Sequence, residues 1–184
     1  MTRFTQCIVK RLARFNRDER GVAAVEIALL LPLMVTLYFG VVQLSQAVSA
    51  KSNVTLTART IADLVSRVAS INDSDMTNAL NAAAAVMAPF PVTNLKVTVS
   101  SVTIDANGKA TIAWSDTLNG SARAVGSVVT LPTALDVANT SLIWAEVQYA
   151  YTPAIGYVIT GTMALKDQMY MGPRVSSSVA RTAT

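Results

Sequence analysis

Histidine is absent from the 184 residues, and cysteine occurs once. Without imidazole the chain lacks the side chain best suited to moving protons near neutral pH and the commonest metal ligand, so most hydrolytic and metal-based chemistries lose their usual parts. The single Cys7 has no partner in the chain. No internal disulfide can brace the fold, which must stand on packing alone. Cys7 precedes the apolar run instead of ending it, the wrong place for a lipoprotein acceptor, and reads as a stray thiol. Charged residues are scarce at 14% and aromatic residues at 6%, while apolar residues reach 52% and the mean hydropathy is +0.41. That balance excludes intrinsic disorder and is too apolar for an ordinary cytosolic domain.

The net charge of +4 is local. Residues 1–21 hold six basic side chains (Arg3, Lys10, Arg11, Arg14, Arg17, Arg20) against Asp18 and Glu19, which leaves nine basic and nine acidic residues for the rest. A nucleic-acid binder needs its cations on a folded surface, so a neutral body behind a basic leader gives no reason to expect DNA or RNA as partner.

Residues 22–50 (VAAVEIALLLPLMVTLYFGVVQLSQAVSA) carry one charge, Glu26. The 22 residues from 27 to 48 make about 33 Å of helix, enough for a hydrocarbon core of about 30 Å. Positive charge lies ahead of this span and only Lys51 follows closely, so the positive-inside rule puts the N-terminus in the cytoplasm and everything after Ala50 outside. Glu26, near the start of the span, would cost about 3 kcal/mol in lipid without a partner. Pro32 removes a backbone hydrogen bond and can kink the helix, and Gly40 offers a surface for close approach.

Arg17, Arg20, Gly21 and Glu26, in G-V-A-A-V-E ahead of a hydrophobic helix, resemble a prepilin leader. The stretch GVAAVEIALLLPLMVTLYFGVVQLSQAV, with its Pro32 and Gly40, is similar to the TadE-like (TadE/TadG-like) family of tight-adherence, Flp-type pilus assembly proteins. The resemblance implies a pseudopilin cut by a membrane aspartyl prepilin peptidase between Gly21 and Val22, on the cytoplasmic side. Glu26 would become the fifth residue of the mature chain, its carboxylate pairing with the new amino terminus of a neighbouring subunit. Ile27 stands where pilins of this class often carry an aromatic residue, and the chain runs far past the membrane; both features point to a minor pseudopilin more than to a major pilin. The implied partners are inner-membrane lipid, the prepilin peptidase, sister pseudopilins or the major pilin, and the assembly platform.

Beyond Ala50 a 3.6-residue period places Val54, Ala58, Ile61, Leu64, Val65 and Val68 on one side, with Arg59, Asp63 and Arg67 opposite in steps of four. One helix is predicted from 22 to 68, half in lipid and half packed on a soluble domain or on sister helices. Residues 72–75 (NDSD) break the pattern and cap a second helix over about 75–87, closed by Pro89 and Pro91. Asp73 and Asp75 lack the glycine and later glutamate of a calcium loop and read as capping residues.

Strands are predicted over 95–105 and 109–117 around an Asn107-Gly108 turn, and over 141–151 and 157–165, with a short strand at 127–131 and a turn or one-turn helix at 132–137. Trp114, Trp144, Tyr149 and Tyr151 read as packing residues, with a carbohydrate or peptide platform as the other reading. Met163, Met169 and Met171 read as core filler or interface. The tail is expected to be loose except for a contact near Pro173 and Arg174.

The expected fold is therefore pilin-like α+β: a leader over 1–21, a membrane helix over 22–50, an amphipathic helical region over 51–88, an antiparallel head of four to five strands over 92–172 and a tail over 173–184. No metal site, no cofactor and no catalytic constellation is expected, and a structural role in pilus assembly, adhesion and biofilm formation follows from the resemblance. Two alternatives remain open. Val48-Ser49-Ala50 suits ordinary signal peptidase, which would release a secreted or periplasmic binding domain after Ala50; an uncleaved bitopic scaffold would keep its first 21 residues.

Overall fold

A computed structural model describes residues 20–153 and 160–182. Cys7 and all leader cations before Arg20 lie outside the described residues. The first element, α1 (Arg20–Ser66), is one helix of 47 residues, about 70 Å long. A two-residue strand β1 (Ser70–Ile71) leads to α2 (Asp73–Ala85), which starts two residues ahead of the expected position because Asn72 is its cap: the Asp75 amide donates to Asn72 Oδ1 at 2.8 Å.

Four strands, β2 (Leu95–Ile104), β3 (Ala110–Leu118), β4 (Ser141–Tyr151) and β5 (Met163–Met171), form an antiparallel sheet in the order β3-β2-β4-β5. The hairpin β2–β3 turns at the expected Asn107-Gly108. Gly108 takes φ +76, which a side chain would strain, and Asp105 Oδ1 accepts from the amides of Asn107 and Lys109. The last sheet strand differs from the expected 157–165. Residues 157–159 lie outside the described residues, and the strand runs from Met163 to Met171, where alternation continues through residues that are charged in sequence.

The helices cover one face of the sheet. On α1 the buried positions are Gln43, Ala47, Ala50, Val54, Thr57, Ala58, Ile61, Ala62, Val65 and Ser66. The step of three and four residues is the predicted one, but Leu64 and Val68 are exposed and the alanines take their place. Small side chains let the helix axis lie close to Leu95, Val97, Val99, Ile143, Ala145, Val147 and Tyr149 on the sheet. Met163, Met169 and Met171 pack against this core from β5, and α2 adds Met76, Leu80, Ala83 and Ala84.

A β-bulge divides β3 between two faces. Ser101 pairs with Trp114 but Val102 pairs with Ile112, so Ala113 is the extra residue and parity inverts there. Trp114 consequently faces the helices, whereas Ile112 and Ala110 join Val102, Ile104 and Trp144 in a second, smaller core on the far face. The connection 119–140 crosses that face and seals it with Val129 and Leu131. The short strand expected at 127–131 is reduced to one bridge, Thr111 to Val128, and the one-turn helix at 132–137 is present as Thr133–Leu135.

The tail is not loose. After the expected contact at Arg174, whose amide donates to Ser66 O at 2.8 Å and whose guanidinium meets Asp63 at 2.7 Å, the chain continues into β6 (Ala180–Arg181), which pairs in parallel with β1. Val179 is buried, and its carbonyl accepts a 2.7 Å hydrogen bond from the Trp114 indole. Arg181 binds Asp116 at 2.8 Å and also Asp73, joining β3 to the start of α2. Sequence composition hides this strap because its fixing points are backbone groups and single side chains far away in the chain.

Candidate functional site

All five residues singled out for processing and packing, Gly21, Val22, Glu26, Pro32 and Gly40, lie on α1. The helix has an 18-residue window of mean hydropathy 2.2 that is wholly outside the protein's own core, and it fits a single membrane span. Val22, Val25, Ile27, Leu29 and every large apolar side chain up to Tyr38 is exposed, since the head covers none of this half. Burial begins at Phe39 and Gly40, both half-buried, and is complete at Gln43. The helix thus has two surroundings: no described part of the head on residues 21–38, and the head on the remainder.

Gly21 is helical, exposed and has open space around it. Glu26 lies one turn beyond Val22, about 6 Å along the axis; it is exposed, and no described side chain forms an ion pair with it. Pro32 sits inside the continuous helix, where the missing N–H leaves the Ala28 carbonyl without its usual donor; one turn later Thr36 Oγ1 donates to Pro32 O at 2.8 Å. Tyr38 and Phe39 meet edge to face, centroids 5.7 Å apart, at the boundary between the bare and covered halves.

A polar clasp near the middle of α1 was not legible in the sequence. Lys51 Nζ donates to Lys166 O at 2.6 Å and to Asp167 Oδ2 at 3.2 Å, and Thr55 Oγ1 donates to the same carboxylate. Burial works to raise the Asp167 pKa. The hydrogen bonds from Thr55, Lys51 and the Gln168 amide, with the Lys51 charge, outweigh it and hold the carboxyl below its ordinary value. The same contacts occupy backbone groups of the edge strand β5, which blunts it against pairing with another strand. A signal did exist: Asp167 falls at an inward position between Leu165 and Met169, where an unpaired charge would not be tolerated.

On the far face, Arg123 lies 4.0 Å over the Trp144 ring and donates through Nε and Nη2 to Glu146 Oε2 at 3.0 and 2.6 Å. Tyr170 stacks beside Trp144 at 5.5 Å. Burial, then the Glu146 charge, pushes the Tyr170 hydroxyl up. Trp114, Trp144, Tyr149 and Tyr151 are all buried, so the platform reading of these aromatics is excluded and they serve as packing. Ion pairing of the α1 charges holds for Asp63 and Arg67 at 2.5 Å; Arg59 is exposed.

In comparison with known proteins, the family described as TadE-like protein matches residues 21–63. No curated protein and no solved structure matches the chain. The matched segment starts where the bare helix starts and stops within one turn of the end of α1, so the head stands outside it. The resemblance that includes Gly21, Glu26, Pro32 and Gly40 is therefore a property of α1 alone: residues 21–63 are TadE-like.

Proposed function

We propose that the protein is a minor pseudopilin of a tight-adherence pilus: a structural subunit inserted in the bacterial inner membrane by α1, N-terminus cytoplasmic, head periplasmic, and processed between Gly21 and Val22. The observation that carries this reading is the division of α1 into a bare apolar half and a half built into an α+β head, in a segment that is TadE-like. Residues 20–38 make about 28 Å of helix, close to the thickness of a hydrocarbon core, with Tyr38 and Phe39 at its outer edge where aromatic belts sit. The lipid span then ends nearer Tyr38 than Ala50, because the head already encloses Gln43, Ala47 and Ala50.

In this mechanism cleavage exposes an ammonium at Val22 one turn from Glu26. A carboxylate and an amine from neighbouring subunits neutralise each other in lipid, setting the register of laterally packed helices. Partners are lipid, the prepilin peptidase, sister pseudopilins or the major pilin, and the assembly platform. Support also comes from the outward row Val41, Leu44 and Val48, exposed on α1 opposite the head and spaced for helix-to-helix contact. Release after Ala50 has a structural obstacle: that bond lies inside α1, with Ala50 fully buried in the head's core.

Mass spectrometry of the protein extracted from membranes of cells containing the peptidase tests the reading. Val22 is expected as the N-terminus, and Gly21→Leu is expected to leave the full-length precursor. An intact Met1 terminus in those cells refutes processing and leaves a bitopic scaffold.

A further inference from the structure

The far face of the sheet is only half covered. Where the connection 119–140 stops, a concave trough of about 590 Å³ remains, floored by β2, β4 and β5 and walled by Gly120 and Ser121. The wall is tightly seated: a Cβ on Gly120 would lie 2.7 Å from Thr117 Oγ1. Strand register places Lys96, Gln148 and Lys166 in one row across three neighbouring strands, with Thr98, Glu146 and Gln168 in the next.

Charge in this trough is unbalanced. Glu146 is taken up by Arg123 at one end, and Asp167 points to the opposite face, where Lys51 and Thr55 hold it. Among the described residues no carboxylate forms an ion pair with Lys96 or Lys166. The two ammonium groups rise from strands two apart, so their stems stand roughly 10 Å from each other, with an amide between them and hydroxyls and a second amide alongside. Stems that far apart let each ammonium hold a charge of its own, which one small anion does not supply. A chain with negative charges at that separation and hydroxyls between them does.

We infer that this trough binds an acidic oligosaccharide, its carboxylates on Lys96 and Lys166 and its hydroxyls on Gln148, Gln168 and Thr98. A lipid headgroup is the less suitable occupant. Lys51, which bonds the Lys166 carbonyl, lies thirteen residues beyond Tyr38, so the row stands about 20 Å above the end of the bare helix. No aromatic residue lines the trough: Trp144 is buried beneath Arg123, and the half-buried Tyr170 is stacked against it, so no stacking platform contributes. Binding therefore rests on charge and falls steeply with salt.

Full-length protein in neutral detergent micelles, titrated calorimetrically with tetragalacturonate, tests this. Saturable binding is expected, with none for galactotetraose. Lys96→Gln and Lys166→Gln should each weaken it by about tenfold, as expected when a charged hydrogen bond is lost. Lys96→Arg and Lys166→Arg should retain it. Both lysines are exposed, so the thermal midpoint should not move. The inference is overturned by no saturable binding, by equal binding of the neutral oligomer, by an unaffected double variant, or by preferential binding of a DNA duplex or glycerol phosphate. It does not depend on processing at Gly21 and stands or falls separately.

Discussion

Replacing Ile61 by alanine separates the two roles assigned to α1. Ile61 is fully buried between α1 and the sheet, in a stripe whose neighbours Ala58, Ala62 and Val65 are also inaccessible. Alanines on both sides cannot extend to fill the space, so the cavity should persist. A large-to-small change at such a position costs about 2–5 kcal/mol. For a domain of this size that is roughly 5–15 °C in thermal midpoint. Leu56 is the internal control: it is on the same helix, five residues away, but 50% exposed on the side opposite the head. Leu56→Ala should change stability by less than about 0.5 kcal/mol. Thermal unfolding in mild detergent, followed by tryptophan emission, reads both, since Trp114 and Trp144 are buried on opposite faces of the sheet. If Ile61→Ala lowers the midpoint no more than Leu56→Ala does, α1 is not a core helix of the head and the division of the helix into two environments is wrong. Should Leu56→Ala or Leu44→Ala leave the midpoint intact yet reduce recovery of the protein with sister subunits, the outward row is the assembly face.

Other expectations follow from particular contacts. Trp114→Phe strands the buried Val179 carbonyl and should cost about 1–3 kcal/mol in urea unfolding, with faster proteolysis of the tail; an unchanged midpoint would mean that the strap is not part of the folded unit. Asp167, with its pKa held below the usual carboxylate value, contributes stability at pH above about 4, the ordinary value for Asp, and that contribution is lost as pH falls through its lower folded-state value. Asp167→Asn should therefore be less stable than the parent near neutrality and lose less on acidification; parallel pH profiles of the urea midpoint would contradict the clasp. Replacing Glu26 by alanine should leave the head's thermal midpoint unchanged, because the head does not touch that turn, while reducing partnering of the subunit; unimpaired partnering would remove its registry role.

Sequence alone determined what depends on neighbours in the chain. The apolar run, the Asn72 cap, the hairpin at Asn107-Gly108 and the alternation along β4 are all local patterns, and each element formed within a few residues of its expected place. Gly21, Glu26, Pro32 and Gly40 lie in the matched segment, which is one helix read in order.

Tertiary structure decided what depends on partners distant in the chain. Period-two reading puts Ile112 and Trp114 on one face, but the bulge at Ala113 separates them into two cores, a choice made by pairing with β2. Asp167 looks like a surface charge until Lys51, 116 residues earlier, meets it. The tail looks loose until Trp114 and Asp116, 65 residues away, grip Val179 and Arg181. The trough exists only because three strands align Lys96, Gln148 and Lys166 in one row. Local periodicity reports how a segment will fold; which charge finds a counterion, and which is left facing solvent, is set when segments meet.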